Sequence, residues 1–331
     1  MEAIGFSLRE EAMLETLTID IVKSNEIEGK LLNSDQVRSS IAKRLGMEIS
    51  GLLPSDRDVE GVVEMMLDAT QKHEQPLTKE RLCNWQAALF PTGRSGMHKI
   101  TVADWRKEKN GPMQVVSGPM GKEKVHYQAP PAVSVDKEMN RFMKWFNSEN
   151  NIEPVLKSGL AHLWFITIHP YDDGNGRIAR AIADMQLARA DKTNQRFYSM
   201  SAQIEHQKKA YYDILEKTQK GSMDVTGWLQ WFFECLIGAL EATEKTLAKV
   251  LTKAKFRENH AATIINERQK LIINKLLDNF FGKLNTSKWA KITKCSQDTA
   301  LRDIQDLIEK EILLKEPGGG RSTSYVLNIA I

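Results

Sequence analysis

Apolar residues recur at helical spacing over most of this chain. Leu14, Leu17 and Ile21 lie three and four positions apart, which is one face of a helix, and Gly29 suits the left-handed residue that closes one. The run Leu163–Ile168 is followed, after a polar loop, by Ile178, Ile182 and Met185 at i, i+4 and i+7. That spacing predicts two core-packed helices with the loop between them. The segment Trp228–Ile237, interrupted by Gln230 and Glu234, reads as a core helix, and a long charged helix runs through Lys245 to Lys255. The helical pattern breaks between Trp105 and Pro131, where Gly and Pro flank short β-prone runs over 110–121 and 124–131. Such punctuation predicts an irregular hairpin. Beyond Ile264, the apolar set Ile272, Ile273, Leu276 and Leu277 marks one helix, and 286–292 and 297–308 mark two more. Ile312–Lys315, Pro317–Arg321 and Tyr325–Leu327 then read as strand, turn, strand. The pattern predicts a mainly α chain in three stretches: a helical region over 1–90, a core over 91–245, and a linker helix with a compact unit over 246–331.

Composition sets outer bounds on this picture. A length of 331 residues with 41% hydrophobic content fits two or three globular domains. The first ten residues lack the basic start and apolar stretch of a signal peptide, and no apolar run approaches a membrane span. Cys83, Cys235 and Cys295 are odd in number and far apart, so they give neither a disulfide framework nor paired metal-ligand spacing. These features predict a cytoplasmic protein with no membrane partner. Residues 262–331 hold eleven Lys or Arg against eight Asp or Glu, which accounts for the whole net charge of +3 and puts any basic partner surface at the C-terminus.

The chemistry concentrates in the polar loop, His169-Pro-Tyr-Asp-Asp-Gly-Asn-Gly-Arg-Ile-Ala-Arg180. It combines a base, an acid, glycines, an amide and two arginines at the opening of a helix. Free N–H groups and the positive dipole end favour an anion there by about 0.3–1 kcal/mol for an exposed charge. Gly174 and Gly176 lack a Cβ, so they can take positive φ and let backbone approach a phosphate. The alternative reading is a polar connection between helices. His73, His98, His162 and His260 read as structural, and the seven histidines form no metal constellation.

This string resembles the signature of the Fic (Fido) family, His-Pro-Phe-x-Asp/Glu-Gly-Asn-Gly-Arg-x-x-Arg, with Tyr171 in place of the usual Phe. The resemblance implies a Fic-type helical bundle with a β-hairpin flap, behind the N-terminal helical region, while the three helices and the strand, turn, strand beyond Ile264 resemble a C-terminal winged-helix domain. It also implies transfer of AMP from ATP to a Ser, Thr or Tyr hydroxyl of a target protein. His169 would be the general base. Asp173 would hold Mg²⁺, while Gly174, Asn175 and Gly176 would cradle phosphate with amide donors. Arg177 would neutralise the leaving pyrophosphate, and Arg180 would fix the γ-phosphate.

Three further groups follow from the resemblance. Ser24, Glu28 and Gly29 fit the family's inhibitory pattern Ser/Thr-x-x-x-Glu-Gly/Asn, which implies that Glu28 competes for Arg180 through a bidentate Arg–carboxylate pair. Val125, His126, Tyr127 and Gln128 would be flap residues that bind an extended target backbone by strand addition; an ordinary surface loop is the other reading. Tyr211 and Tyr212 would line the adenine pocket together with Gln219, which stands where the family has Asn. Aromatics at helical spacing, Tyr211 above all, also read as core.

The helix 297–308 carries Asp298, Asp303 and Asp306 against Arg302 alone. So acidic a face favours protein docking or a homodimer over DNA for the winged helix. Other readings stay open: removal of AMP, transfer of UMP, phosphate or phosphocholine, or a nucleotide-sensing regulator that binds DNA.

Overall fold

The computed structural model describes residues 8–47, 52–108, 111–119, 121–149, 151–278, 280, 282–317 and 323–329. The chain divides into two compact units, one of residues 9–48 and 52–246 and the other dominated by 247–331. It is mainly helical. Among the described residues no helix is long and apolar enough to cross a membrane.

The first unit opens with α1 (Leu8–Ile27), α2 (Ser34–Arg44), α3 (Arg57–Gln71) and α4 (Lys79–Leu89). Side chains define the helix starts: Asn33 accepts from Gln36 N and Thr78 from Arg81 N, each satisfying an amide that the helix leaves free. Two short hairpins follow. The first, β1 (Arg94–Ser95) with β2 (His98–Lys99), lies in a stretch with no regular apolar pattern. The second, β3 (Gln114–Ser117) with β4 (Lys124–Gln128), is antiparallel with a register shift after Val115.

At the centre lie α5 (Ala132–Asn147), α6 (Pro154–Ile168) and α7 (Asn175–Asp191). Pro154 stands at the start of α6, where its missing N–H costs nothing, and Glu153 caps the helix through Leu156 N. Phe165, Ile178, Ala181, Ile182 and Met185 are fully buried where α6 packs on α7. Ser158 Oγ on α6 donates to Ala183 O on α7 at 2.9 Å. The unit continues with α8 (Met200–His206), α9 (Lys208–Lys220) and the first part of α10 (Thr226–Asn259). Gly159 lets α10 reach α6, since a Cβ there would stand 3.1 Å from Leu229 and Phe232 side chains. Trp228 Nε1 donates to Gly159 O at 2.8 Å. The core and charged segments expected as separate helices are one continuous α10.

The second unit holds α11 (Glu267–Asp278), α12 (Thr286–Thr293), α13 (Gln297–Glu309), β5 (Leu313–Lys315) and β6 (Tyr325–Leu327). Ile272, Trp289, Ile304, Leu307 and Leu313 form its core. β5 pairs antiparallel with β6, and Leu284 bridges to Tyr325. The expected turn at 318–321 lies outside the described residues. One expectation needs correction here. Asp303 is buried on the core side of α13, where Arg268 Nε donates to it at 2.7 Å and Asn266 Nδ2 at 2.9 Å. Asp306 accepts from Gln269 and Lys310, both at 2.6 Å. The exposed side of α13 presents Gln297, Asp298, Leu301, Arg302, Gln305 and Glu309. Asp303 therefore leaves the expected acidic face, whereas Asp306 is paired but keeps a side chain 42% exposed, alongside exposed Asp298 and Glu309.

Candidate active site

The loop between α6 and α7 is shaped by three local devices. His169 caps α6 in the left-handed region, at φ 51° and ψ 59°, which costs a residue with a Cβ about 1–2 kcal/mol. Asn175 closes the loop: its Oδ1 accepts from Tyr171 N at 3.0 Å and its Nδ2 donates to Tyr171 O at 2.8 Å. Gly174 begins α7 at φ 92°, and a Cβ there would stand 2.9 Å from the Phe90 ring. Gly176 is helical, not left-handed. Its requirement is space, because the nearest atom to a Cβ at that position is Glu28 Oε1. The side chain of Asn175 is spent on the loop, so of that residue only the backbone amide is left to meet an anion.

His169 is set up as a neutral base. Its Nδ1 lies 3.2 Å from Ile166 O, a carbonyl that only accepts, so Nδ1 carries the proton and Nε2 keeps its lone pair. Burial, helped by the Arg106 cation, lowers its pKa to about 4 against the raising effects of the Ile166 carbonyl, Glu28 and Asp173. The residue as a whole is half-buried. His162, read as structural, is fully buried about two helix turns earlier on α6, 3.0 Å from the Tyr211 hydroxyl.

Both arginines of the loop are 2% exposed. Arg177 lies over the Phe90 ring, 5.0 Å from its centroid. Its buried Nε has no hydrogen-bond partner among the described residues. Burial would lower the Arg180 pKa, but the Glu28 carboxylate beside it raises it. Arg180 Nη2 donates to Glu28 Oε1 at 2.7 Å and to Ser24 O at 2.8 Å, and Nε donates to Ser24 Oγ at 2.9 Å. The expected bidentate pair is thus a single Arg–carboxylate contact, with Ser24 supplying the other two acceptors. Arg180 Nη1 stays buried without a partner.

Asp173 accepts from Gly174 N at 2.5 Å and from the Ser95 hydroxyl on β1. Asp172 accepts from Thr101 N at 2.8 Å. Among the described residues no group of three or more His, Cys, Asp or Glu side chains converges as a metal cage. Mg²⁺ commonly takes one or two carboxylates and completes its shell with substrate phosphates and water. Asp173 fits that role in company with a nucleotide.

The remaining predicted residues divide. Tyr211 is in the core, against Trp228 and Trp231. Tyr212 is 41% exposed and its hydroxyl donates to Ile27 O at 3.3 Å, so it touches the residue before Glu28. Gln219 Nε2 donates to Thr167 Oγ1 at 3.3 Å, two residues before the base. On β4, Tyr127 turns inward and donates to Thr167 O at 2.7 Å. His126 Nδ1 lies 2.5 Å from Glu216 Oε2 on α9. Val125 and Gln128 are exposed. Among the described residues each flap strand has one edge unpaired by another strand. Ser95, Asp172, Phe90 and Arg106 escaped the sequence reading. Nothing in the spacing tied Ser95 to an acid 78 positions away.

Residues 76–187 match the model of the Fic/DOC family, and residues 1–47 match that of a domain of unknown function, DUF4172. Over 111 residues, 33% of this chain, the sequence is 34% identical to the protein adenylyltransferase Fic of Drosophila grimshawi and to that of Drosophila mojavensis. The match spans about a fifth of the length of those fly proteins, 20% and 19%. In fold the chain is similar to a Fic family protein from Desulfovibrio desulfuricans G20, with a TM-score of 0.53 at 19% identity, covering 96% of this chain and 87% of that one. It is also similar to a Fic domain containing signaling protein from Bacteroides thetaiotaomicron VPI-5482, with a TM-score of 0.51 at 22% identity over 73% of this chain and 88% of that one.

Proposed function

We propose that this chain, which carries a Fic/DOC family domain over residues 76–187, transfers AMP from ATP to a hydroxyl side chain of a target protein and is held inactive by Glu28. The observation that carries the reading is the pairing of a neutral His169 with two buried arginines at the N-terminus of α7. His169 Nε2 takes the proton of the target Ser, Thr or Tyr, a general-base role worth about 10²–10⁴-fold. The freed oxygen bonds to the α-phosphorus as the bond to the bridging oxygen of the β-phosphate breaks, and pyrophosphate leaves. Backbone amides of α7 and the Arg177 cation face the charge that develops there. Mg²⁺ held by Asp173 would neutralise phosphate charge. An unpaired flap edge supports recognition of the target as an added strand, which needs main-chain bonds rather than particular side chains.

Arg180 is the control point of this reading. In the conformation described, Glu28 and Ser24 take up its Nε and Nη2 donors, and a γ-phosphate competes for them. The test is labelling of protein by α-labelled ATP with Mg²⁺. Label that depends on His169 supports AMP transfer, whereas label from γ-labelled ATP alone sinks it in favour of phosphate transfer.

A second reading concerns residues 247–331. With Asp303 turned into the core, the exposed side of α13 carries Gln297, Arg302 and Gln305 beside Asp298 and Glu309, a mixed polar face open to duplex DNA or to protein. Retention of the full chain on duplex DNA, weakening log-linearly with salt, would support a DNA partner.

A further inference from the structure

Arg106 is 5% exposed and belongs neither to the signature loop nor to the flap. Yet it holds both. Its Nε donates to His169 O at 2.7 Å, its own backbone N–H donates to Pro170 O at 2.9 Å, and its Nη2 donates to Pro130 O at 2.5 Å. The neighbouring Trp105 places its ring 5.1 Å from that of Tyr171. One dipeptide therefore grips three consecutive loop residues, beginning with the base, together with the residue that follows the flap by two positions.

The chemistry of the side chain explains why arginine stands here. A guanidinium is a rigid planar fork with donors on separate nitrogens, so it can satisfy two carbonyls from distant segments at once. A lysine ammonium has no such fixed spacing. The His169 carbonyl also needs a fixed donor, because a left-handed residue turns its peptide away from the α6 ladder. If that peptide swings, the imidazole moves with it.

We propose that Arg106 is a positioning residue: it fixes the main chain of His169 and couples it to the exit of the flap at Pro130, so that the base and the strand presenting the acceptor move as one body. The catalytic part of this inference rests on the AMP-transfer reading above; the mechanical part does not.

Hydrogen–deuterium exchange on the full chain tests the mechanical part. In Arg106→Gln, amides of β4 and those of His169 and Tyr171 are expected to exchange about tenfold faster or more, a local opening of the kind that spans a cooperative unit. The α6 and α7 interiors keep their protection. Arg106→Lys is expected to loosen at least one of the two segments, for lack of a fork. Unchanged exchange in either segment of Arg106→Gln, parent-like exchange in Arg106→Lys, or general loss of protection through α6 and α7 overturns the coupling.

Kinetics tests the catalytic part in the Glu28→Gly background. Arg106→Gln is expected to lower kcat about 10²-fold, the scale of an ångström-sized misplacement of a catalytic group, with KM for ATP changed by less than about threefold. An equal rise in KM, or an unchanged kcat, overturns the positioning role. If Glu28→Gly itself transfers no AMP, the reaction assignment fails while the exchange result still decides the clamp.

Discussion

The Glu28 carboxylate occupies the space in which a side chain at Gly176 would stand. It lies over the first turn of α7 while its Oε1 accepts from Arg180 Nη2 at 2.7 Å. An anion in that place is favoured twice, by the dipole of α7 and by the guanidinium beneath. Those are the interactions a phosphate would use. Glu28 itself sits at the C-terminal end of α1, the wrong end for an acid, so its pairing with Arg180 offsets a local disadvantage.

Removing that carboxylate is expected to raise AMP transfer. Glu28→Gly frees one donor of Arg180, and a single preorganised donor is worth on the order of 10²-fold in such sites. The Ser24 acceptors remain, so the gain falls short of full release. Stability should drop by about 1–3 kcal/mol, at the lower end because the Glu28 side chain is 31% exposed and so partly screened. Labelling from α-labelled ATP, alongside urea unfolding, checks both. Unchanged labelling would remove Glu28 from control of the site.

The pH dependence follows from His169. Its pKa stands near 4 in the fold against 6.5 when free, so the base is neutral through the physiological range. Activity of Glu28→Gly is expected to hold its plateau down to about pH 5 and to fall only at or below about pH 4, since Glu28 is one of the groups that raise this pKa, well below the limb that an unperturbed histidine gives. The sign for stability is the reverse of a salt-bridged histidine. The unfolded chain binds this proton more readily, so the His169 contribution to stability is lost as pH falls from 6.5 towards about 4. A rate profile with its acid limb near pH 6.5 would contradict the buried, neutral base. His169→Ala should remove labelling at every pH.

Asp20 ties α1 to the rest of the unit. It is 3% exposed and its Oδ1 accepts from Ser199 Oγ at 2.5 Å and from Ser201 N at 3.1 Å, two turns ahead of Glu28. Asp20→Ala leaves the buried Ser201 amide without that acceptor, a loss of about 1–3 kcal/mol, and loosens the helix that carries Glu28. Labelling should therefore rise, though less than in Glu28→Gly, and Asp20→Asn should stay near the parent. Destabilisation without any rise in labelling would make the tie purely structural.

How much of this was legible depended on distance along the chain. The path from His169 to Arg180 is contiguous, so base, acid, glycines and arginines could be read as one site, and the apolar spacing on either side placed it between helices. The Asn175 side chain could not be read the same way, because its use on Tyr171 is a matter of three-dimensional closure. Ser95, Arg106 and Asp20 reach partners 78, 63 and 179 positions away, and no local pattern encodes such pairings. Asp303 is different. It lies at core spacing with Ala300, Ile304 and Leu307, so the period of α13 held the answer, and counting charges along the helix instead of around it put this one acid on the wrong side.

Tyr171 gives a prediction of opposite sign to the others. The residue replaces the signature Phe, its ring is fully buried, and its hydroxyl has no hydrogen-bonded oxygen or nitrogen among the described residues. The Cys83 thiol beside it is a weak partner, and burial pushes the Tyr171 phenol well above its ordinary pKa. A buried hydroxyl without a good partner costs about 1–3 kcal/mol, and the weak thiol contact offsets only part of that. Tyr171→Phe keeps the ring against Trp105 and Phe165 and removes only the polar atom. Thermal unfolding should therefore show equal or greater stability, by up to about 1–2 kcal/mol. The loop geometry rests on Asn175 and the main chain of Tyr171, which the substitution leaves alone. A loss of more than about 1 kcal/mol would mean that the hydroxyl holds a hydrogen bond stronger than a thiol can provide, and would point to a water bound between Tyr171 and Cys83.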